Sequence, residues 1–130
     1  SPGAAHLDNP TLDRLVLAAR IAAGGQPAGC IVADGNADVI AAFGGACDGR
    51  DLAHPAIQAL RVAGEQRGAA PAATILAATH EPCPMCIGAA VEAGVDVVLF
   101  AERAPPDHGA ARIVPPSGTR WLLPRIIQQG

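Results

Sequence analysis

Glu81-Pro82-Cys83-Pro84-Met85-Cys86-Ile87-Gly88-Ala89 is the stretch on which the reading of this chain turns. Pro84 suits the first turn of an α-helix, where its missing N–H loses no hydrogen bond and its fixed φ is already helical. A helix is therefore predicted from Pro84 to Ala93, closed by Gly94. Cys83 and Cys86 are three residues apart, so both sulfurs fall on one side of the first turn. The partial positive charge of a helix N-terminus biases both toward thiolate.

A second stretch supplies a partner. Asp51-Leu52-Ala53-His54-Pro55-Ala56-Ile57-Gln58-Ala59-Leu60-Arg61 opens another helix, with Ala53, Ile57, Leu60 and Ala63 on one face and the run ending near Arg67. Pro55 fits only the first turn and pushes the residue before it out of the α region, so His54 stands at the helix entrance. Asp51 reads as a cap for this helix. Two thiolates and a neutral imidazole suit Zn²⁺, with the fourth tetrahedral position open, which is the pattern of a catalytic zinc. A lone Cys-x-x-Cys also suits a redox pair or half of a structural zinc site. The order of elements before Cys83 does not supply the first, and no second Cys-x-x-Cys or His pair supplies the second.

Outward from these stretches the elements alternate. Asp8-Asn9-Pro10-Thr11 starts a helix whose apolar face is Leu12, Leu15, Leu17, Ala18, Ile21 and Ala22, stopped by Gly24-Gly25. Ala28–Ala33 reads as an apolar strand, Asp34-Gly35-Asn36 as a turn, and Asp38–Phe43 as its hairpin partner, ended by Gly44-Gly45. Thr74–Ala78 and Asp96–Ala101 are two more strands. Residues Ala104–Ser117 are rich in Pro, and Trp121-Leu122-Leu123 with Ile126-Ile127 predict one further strand or short helix. Helices alternating with apolar strands predict an α/β fold, a mixed sheet covered on both faces, in a single domain spanning 1–130.

Composition narrows the function classes. Half of the 130 residues are hydrophobic, and the aromatic residues are Phe43, Phe100 and Trp121 alone, so the core is aliphatic. No Lys occurs; all nine basic residues are Arg. Residues 1–102 carry five Arg against eleven acids, a balance of −6, while 103–130 carry four Arg against one Asp, a balance of +3. The acidic body opposes binding to a polyanion such as RNA. No apolar run is long enough for a transmembrane helix and no signal-peptide pattern opens the chain, so a cytoplasmic location without membrane contact is expected. Cys30, in an apolar run, and Cys47 read as free thiols.

The His54 and Glu81–Ala89 segments together make the chain resemble the nucleoside and nucleobase deaminase superfamily, whose signature is His-x-Glu followed by Pro-Cys-x-x-Cys. The wording is most similar to the branch of bacterial tRNA adenosine deaminases and guanine deaminases. The resemblance covers about residues 10 to 101 in element order. It implies the three-layer α/β/α sandwich of the cytidine-deaminase-like fold and Zn²⁺ held by His54, Cys83 and Cys86. It also implies hydrolytic loss of ammonia from an amino-substituted ring, and a homodimer packed through helices near the metal. In that chemistry a glutamate that is not a ligand carries the proton. The acidic body and the scarcity of stacking aromatics favour a free base, nucleoside or related small heterocycle over tRNA.

Two departures stand out. The position of the proton-carrying glutamate holds Ala56. Three readings follow: a substitution that removed the glutamate, a naturally non-catalytic zinc-binding subunit acting through a partner, or an enzyme that uses another base. Glu81 is the nearest remaining carboxylate in sequence. Upstream, where relatives place a substrate-holding Asn, this chain has Phe43-Gly44-Gly45-Ala46. Phe43, Gly44 and Gly45, with His80 and Pro82, are the candidate substrate contacts. His80 has two readings, a hydrogen-bonded surface residue or a pocket residue.

Overall fold

The computed structural model describes residues 7–47, 52–67, 74–105 and 123–130. The elements are α1 (Asn9–Ala23), β1 (Ala28–Ala33), β2 (Val39–Gly45), α2 (Pro55–Arg67), β3 (Ile75–His80), α3 (Pro84–Glu92), β4 (Val97–Glu102) and β5 (Arg125–Gln128). The strands form one mixed sheet in the order β2-β1-β3-β4-β5. β1 runs antiparallel to β2 and β3, and β3, β4 and β5 are parallel. This is the α/β architecture expected from the alternation.

Alternate residues of the central strands serve opposite faces, as the two-residue period of a strand requires. Ile31, Ala33, Ile75, Ala77, Val97, Leu99 and Ala101 pack with Leu12, Leu15 and Val16 of α1. Cys30, Val32, Leu76, Ala78, Val98 and Phe100 pack with Ala59, Leu60 and Ala63 of α2 and Cys86, Ile87 and Ala90 of α3. β1 is buried along its whole length, and β3 and β4 up to their last residues. Their near-continuous apolar runs reflect burial on both faces.

Local signals set the ends of the elements. Asp8 caps α1, its carboxylate accepting a hydrogen bond from Thr11 N–H at 3.0 Å. Gly24 ends it with a φ of 58°, which costs a glycine little. β2 does not stop before Gly44-Gly45 but runs through both, paired with Gly29 and Ala28. Here the glycines serve close packing rather than chain reversal. A Cβ on Gly44 would lie 2.5 Å from the carbonyl oxygen of Ala22, and one on Gly29 would strike the backbone of Ala19 and Ala23. β3 extends past Ala78 to His80 because its parallel pairing with β4 continues to Glu102. Of the two readings of the C-terminal segment the strand holds, as β5 on the sheet edge. Asp51, Trp121 and Leu122 lie outside the described residues, as does most of the Pro-rich stretch. No helix among the described residues is long and apolar enough to cross a membrane.

Gly29→Ala forces α1 off the sheet through a backbone contact that no rotamer relieves. It is expected to cost about 3 kcal/mol, the upper range for overpacking. Gly64→Ala, in α2 with nothing within 4 Å of the added methyl, is expected to stabilise by roughly 0.5–1 kcal/mol through helix propensity. Urea unfolding of the two variants should show midpoints moving in opposite directions.

Candidate metal centre

β3 ends at His80 and passes through Glu81 and Pro82 into α3, whose N-cap is Cys83. Cys83 has extended backbone angles (φ −73°, ψ 169°) and its sulfur makes no capping hydrogen bond. Its carbonyl accepts the first helical bond, from Ile87 N–H at 3.0 Å. α2 begins in the same way at Pro55, and the His54 carbonyl accepts from Gln58 N–H at 3.1 Å. The Gln58 side chain secures this entry by donating to the Ala53 carbonyl at 2.9 Å. Both helix N-termini therefore carry their donor at the same step of the chain.

The donors meet. His54 Nδ1 lies 3.4 Å from Cys86 Sγ and 3.5 Å from Cys83 Sγ, and the two sulfurs are 3.5 Å apart. His54 and Cys86 are buried, and Cys83 is half-buried. Among the described residues these three form the one cluster of His, Cys, Asp or Glu side chains that could hold a metal, all donor atoms lying within 4.8 Å of one another. Zinc bonds of about 2.0–2.3 Å in a tetrahedron put neighbouring donors roughly 3.4–3.8 Å apart. The spacing and the donor chemistry both fit Zn²⁺.

The two thiols are coupled. Cys83 is lowered to about 5, first by a hydrogen bond from Cys86 to its thiolate, with burial opposing. Cys86 is raised, because it holds the shared proton and because it is buried. One negative charge is thus already favoured, and a divalent cation would supply the field that removes the second proton.

The cluster sits in a cavity of about 740 Å³. Ala56 faces it from the first turn of α2, with 3 % of its surface exposed. Pro82 and His80 line it, whereas Phe43, Gly44 and Gly45 do not: they remain on β2, with Gly44 against α1 and Gly45 against the ring of Pro55. Both readings of His80 describe it. Its Nε2 pairs with Glu102 Oε2 at 2.7 Å and its Nδ1 with Thr79 Oγ1 at 2.9 Å, while the ring also faces the cavity. Thr79 in turn accepts from Gly29 N–H at 3.0 Å. Glu81 is held to the segment after β4, its Oε1 accepting from Ala104 N–H at 3.1 Å. Cavity residues that the sequence reading did not select include Cys30, Cys47, Leu52, Thr79 and Arg103. Cys30 could have been found from strand alternation, which puts it on the same face as Ala78. Leu52 and Cys47 lie in a connection that carries no such period.

A family model, the cytidine and deoxycytidylate deaminase zinc-binding region, matches residues 9–102. No curated protein matches the sequence. A solved structure from work on A-to-I editing by tRNA:A34 deaminases at the wobble position of transfer RNA is similar, with a TM-score of 0.64 and 26% identity over 94% of this chain and 93% of that one. The dCMP deaminase of cyanophage S-TIM5, in complex with dCMP and dUMP, gives 0.60 and 18% over 76% and 86%. A guanine deaminase from Nitrosomonas europaea gives 0.51 and 22% over 75% and 60%. The last two show a shared fold.

Protein purified without chelator is expected to carry one zinc per chain. Cys83→Ser and His54→Ala should lose it, and Ala56→Glu should keep it. Elemental analysis of the three variants reads this directly, and zinc retained by both ligand variants would refute the centre.

Proposed function

This chain belongs to the cytidine and deoxycytidylate deaminase family, and on that premise we propose that it is a zinc-dependent hydrolytic deaminase domain for a small amino-substituted heterocycle, nearly silent as it stands because Ala56 occupies the proton carrier's place. The observation that carries this reading is the closure of His54, Cys83 and Cys86 on one point in the wall of a 740 Å³ cavity. That volume lies within the range of small-molecule sites, roughly 300–1,000 Å³. When bound, zinc supplies the Lewis acidity that makes water a usable nucleophile near neutral pH.

The remaining work falls to side chains. His54 and the two cysteines fix the metal from two helix N-termini. Position 56, one residue into α2 and facing the cavity, is where a carboxylate would take a proton from water and return it to ring nitrogen and departing ammonia. A methyl group does neither, and loss of general acid–base catalysis costs about 10²–10⁴-fold in rate. Glu81 shares the cavity, but its carboxylate is engaged by Ala104 N–H at 3.1 Å. The −6 balance of residues 1–102 favours a small substrate, although the tRNA deaminase match covers more of the chain than the others above. Leu52 and Met85, exposed apolar side chains beside the cavity, are where packing of a homodimer would fall.

A second reading is favoured by the burial of Ala56 in the core with Ala59, Ala78 and Cys86: a non-catalytic zinc domain acting through a partner. Ala56→Glu separates the two. Ammonia release is measured with guanine, adenine, cytosine, cytidine and aminated triazines and pterins. Turnover of any one by the variant, at least a hundredfold above the unsubstituted chain, supports the enzyme reading. A folded, zinc-loaded variant that releases none favours the partner reading.

The substrate class has its own test. In a titration with tRNA at low salt, where electrostatic attraction is strongest, binding is expected to be weak. Tight binding would overturn the small-substrate reading and direct attention to Arg103 at the cavity wall.

A further inference from the structure

His80 is the last residue of β3. Strand alternation puts its side chain on the face of Leu76 and Ala78, the face on which α2 and α3 pack. It lines the 740 Å³ cavity together with His54, Cys83 and Cys86. Its partner in the parallel register is Glu102, at the end of β4.

Both ring nitrogens are taken up by the protein. Nε2 lies 2.7 Å from Glu102 Oε2 and donates to that carboxylate. Nδ1 lies 2.9 Å from the hydroxyl of Thr79, which also accepts from Gly29 N–H at 3.0 Å. Thr79 is buried, so the clamp runs from the backbone of β1 through Thr79 and the imidazole to β4. A hydrogen bond at each nitrogen fixes the plane of the ring. What the ring then offers the cavity is carbon, its π face and its C–H edge. Aromatic rings are scarce in that wall. Phe43 and Phe100 do not line it, and among the described residues that do, the aromatic rings are those of His54, which meets the two sulfurs, and His80.

We infer that His80 is a substrate-binding residue whose imidazole, clamped by Thr79 and Glu102, packs against the flat ring of the substrate and sets the plane of that ring in the metal cavity. The inference rests on the reading of the cavity as a site for a small amino-substituted heterocycle, and names the contact that holds it. A flat heterocycle stacks on another ring or meets its edge, and such contacts tolerate changes in ring substituents. The class selected is therefore a planar, unsaturated ring; a puckered, saturated amine gains little from this wall. Thr79 and Glu102 are positioning residues, acting through the imidazole.

Because alanine at position 56 leaves a bound heterocycle unconsumed, the zinc-loaded full chain can itself be titrated at equilibrium. Calorimetry with 2-aminopurine, adenine, cytosine, cytidine and pterin gives a Kd for each. For the tightest of them, His80→Ala is expected to raise Kd about tenfold. His80→Phe, which keeps a ring and drops the nitrogens, should stay near the unsubstituted value. Glu102→Ala, which frees Nε2, is expected to raise Kd about threefold, and Glu102→Gln, which keeps an acceptor, to restore it. Neither residue is a metal ligand and their side chains are 45% and 68% exposed, so the variants should fold and keep their zinc, which elemental analysis of each checks. An unchanged Kd in His80→Ala overturns the inference. So does equal weakening in His80→Ala and His80→Phe, which makes the contact a hydrogen bond from a ring nitrogen. In both cases a heterocycle is still bound by the unsubstituted chain, so the small-substrate reading stands and only the role of His80 falls. If the zinc-loaded chain binds none of the five, that reading fails and the inference with it.

Discussion

The site depends on β3 being held rigidly on both sides. It pairs antiparallel with β1 and parallel with β4, and is buried from Ile75 to Thr79. The Glu81 N–H then donates to the Glu102 carbonyl at 2.7 Å, carrying the β3–β4 pairing one step beyond the strand. The turn into α3 thus starts from a fixed point, and Pro82 and Pro84 on either side of Cys83 leave it few backbone conformations. The sulfur positions follow from this pairing. α2 reaches the same end of the sheet by packing on β1 and β2, and its first residues bring His54 to the sulfurs. The centre thus lies beyond the carboxyl ends of the parallel strands, where open α/β sheets place their ligands.

The parts legible in the sequence were those where one residue type has one physical role. Prolines at helix starts, Gly24 at a helix end and the aliphatic strands of a doubly covered sheet were read at or near their observed limits. The donors His54, Cys83 and Cys86 were legible because helix entrances and an i, i+3 spacing place them independently of tertiary detail. Less legible was whatever depends on two distant backbones meeting. Gly44-Gly45 reads as a strand end by local propensity, yet β2 runs through both, because α1 needs side-chain-free strand at Gly44 beneath its C-terminal turn and Gly45 lies against the ring of Pro55. The cavity contribution of Cys47 and Leu52 is of the same kind. Each comes from a connection whose path is set by contacts rather than by period.

The cysteine pair shows why the ligand set and the metal belong together. Without a cation, the pair gives up one proton readily and resists losing the second, since two thiolates 3.5 Å apart repel and one is buried. A helix N-terminus offers partial positive charge, enough to favour the first ionisation. Full ionisation of both requires a compact positive charge at the point the three donors face, so metal affinity must fall as the solution is acidified.

His54 and Ala56 are placed by different steps of the same helix start. His54 lies before α2 and is positioned by Pro55 and by the bond from Gln58; Ala56 lies inside the first turn and is positioned by the helix itself. A change at position 56 therefore leaves the donors where they are. The small side chain is accommodated by aliphatic neighbours, and the helix loses nothing, because alanine is its best former. The geometry of the binding centre is thus independent of the residue at position 56.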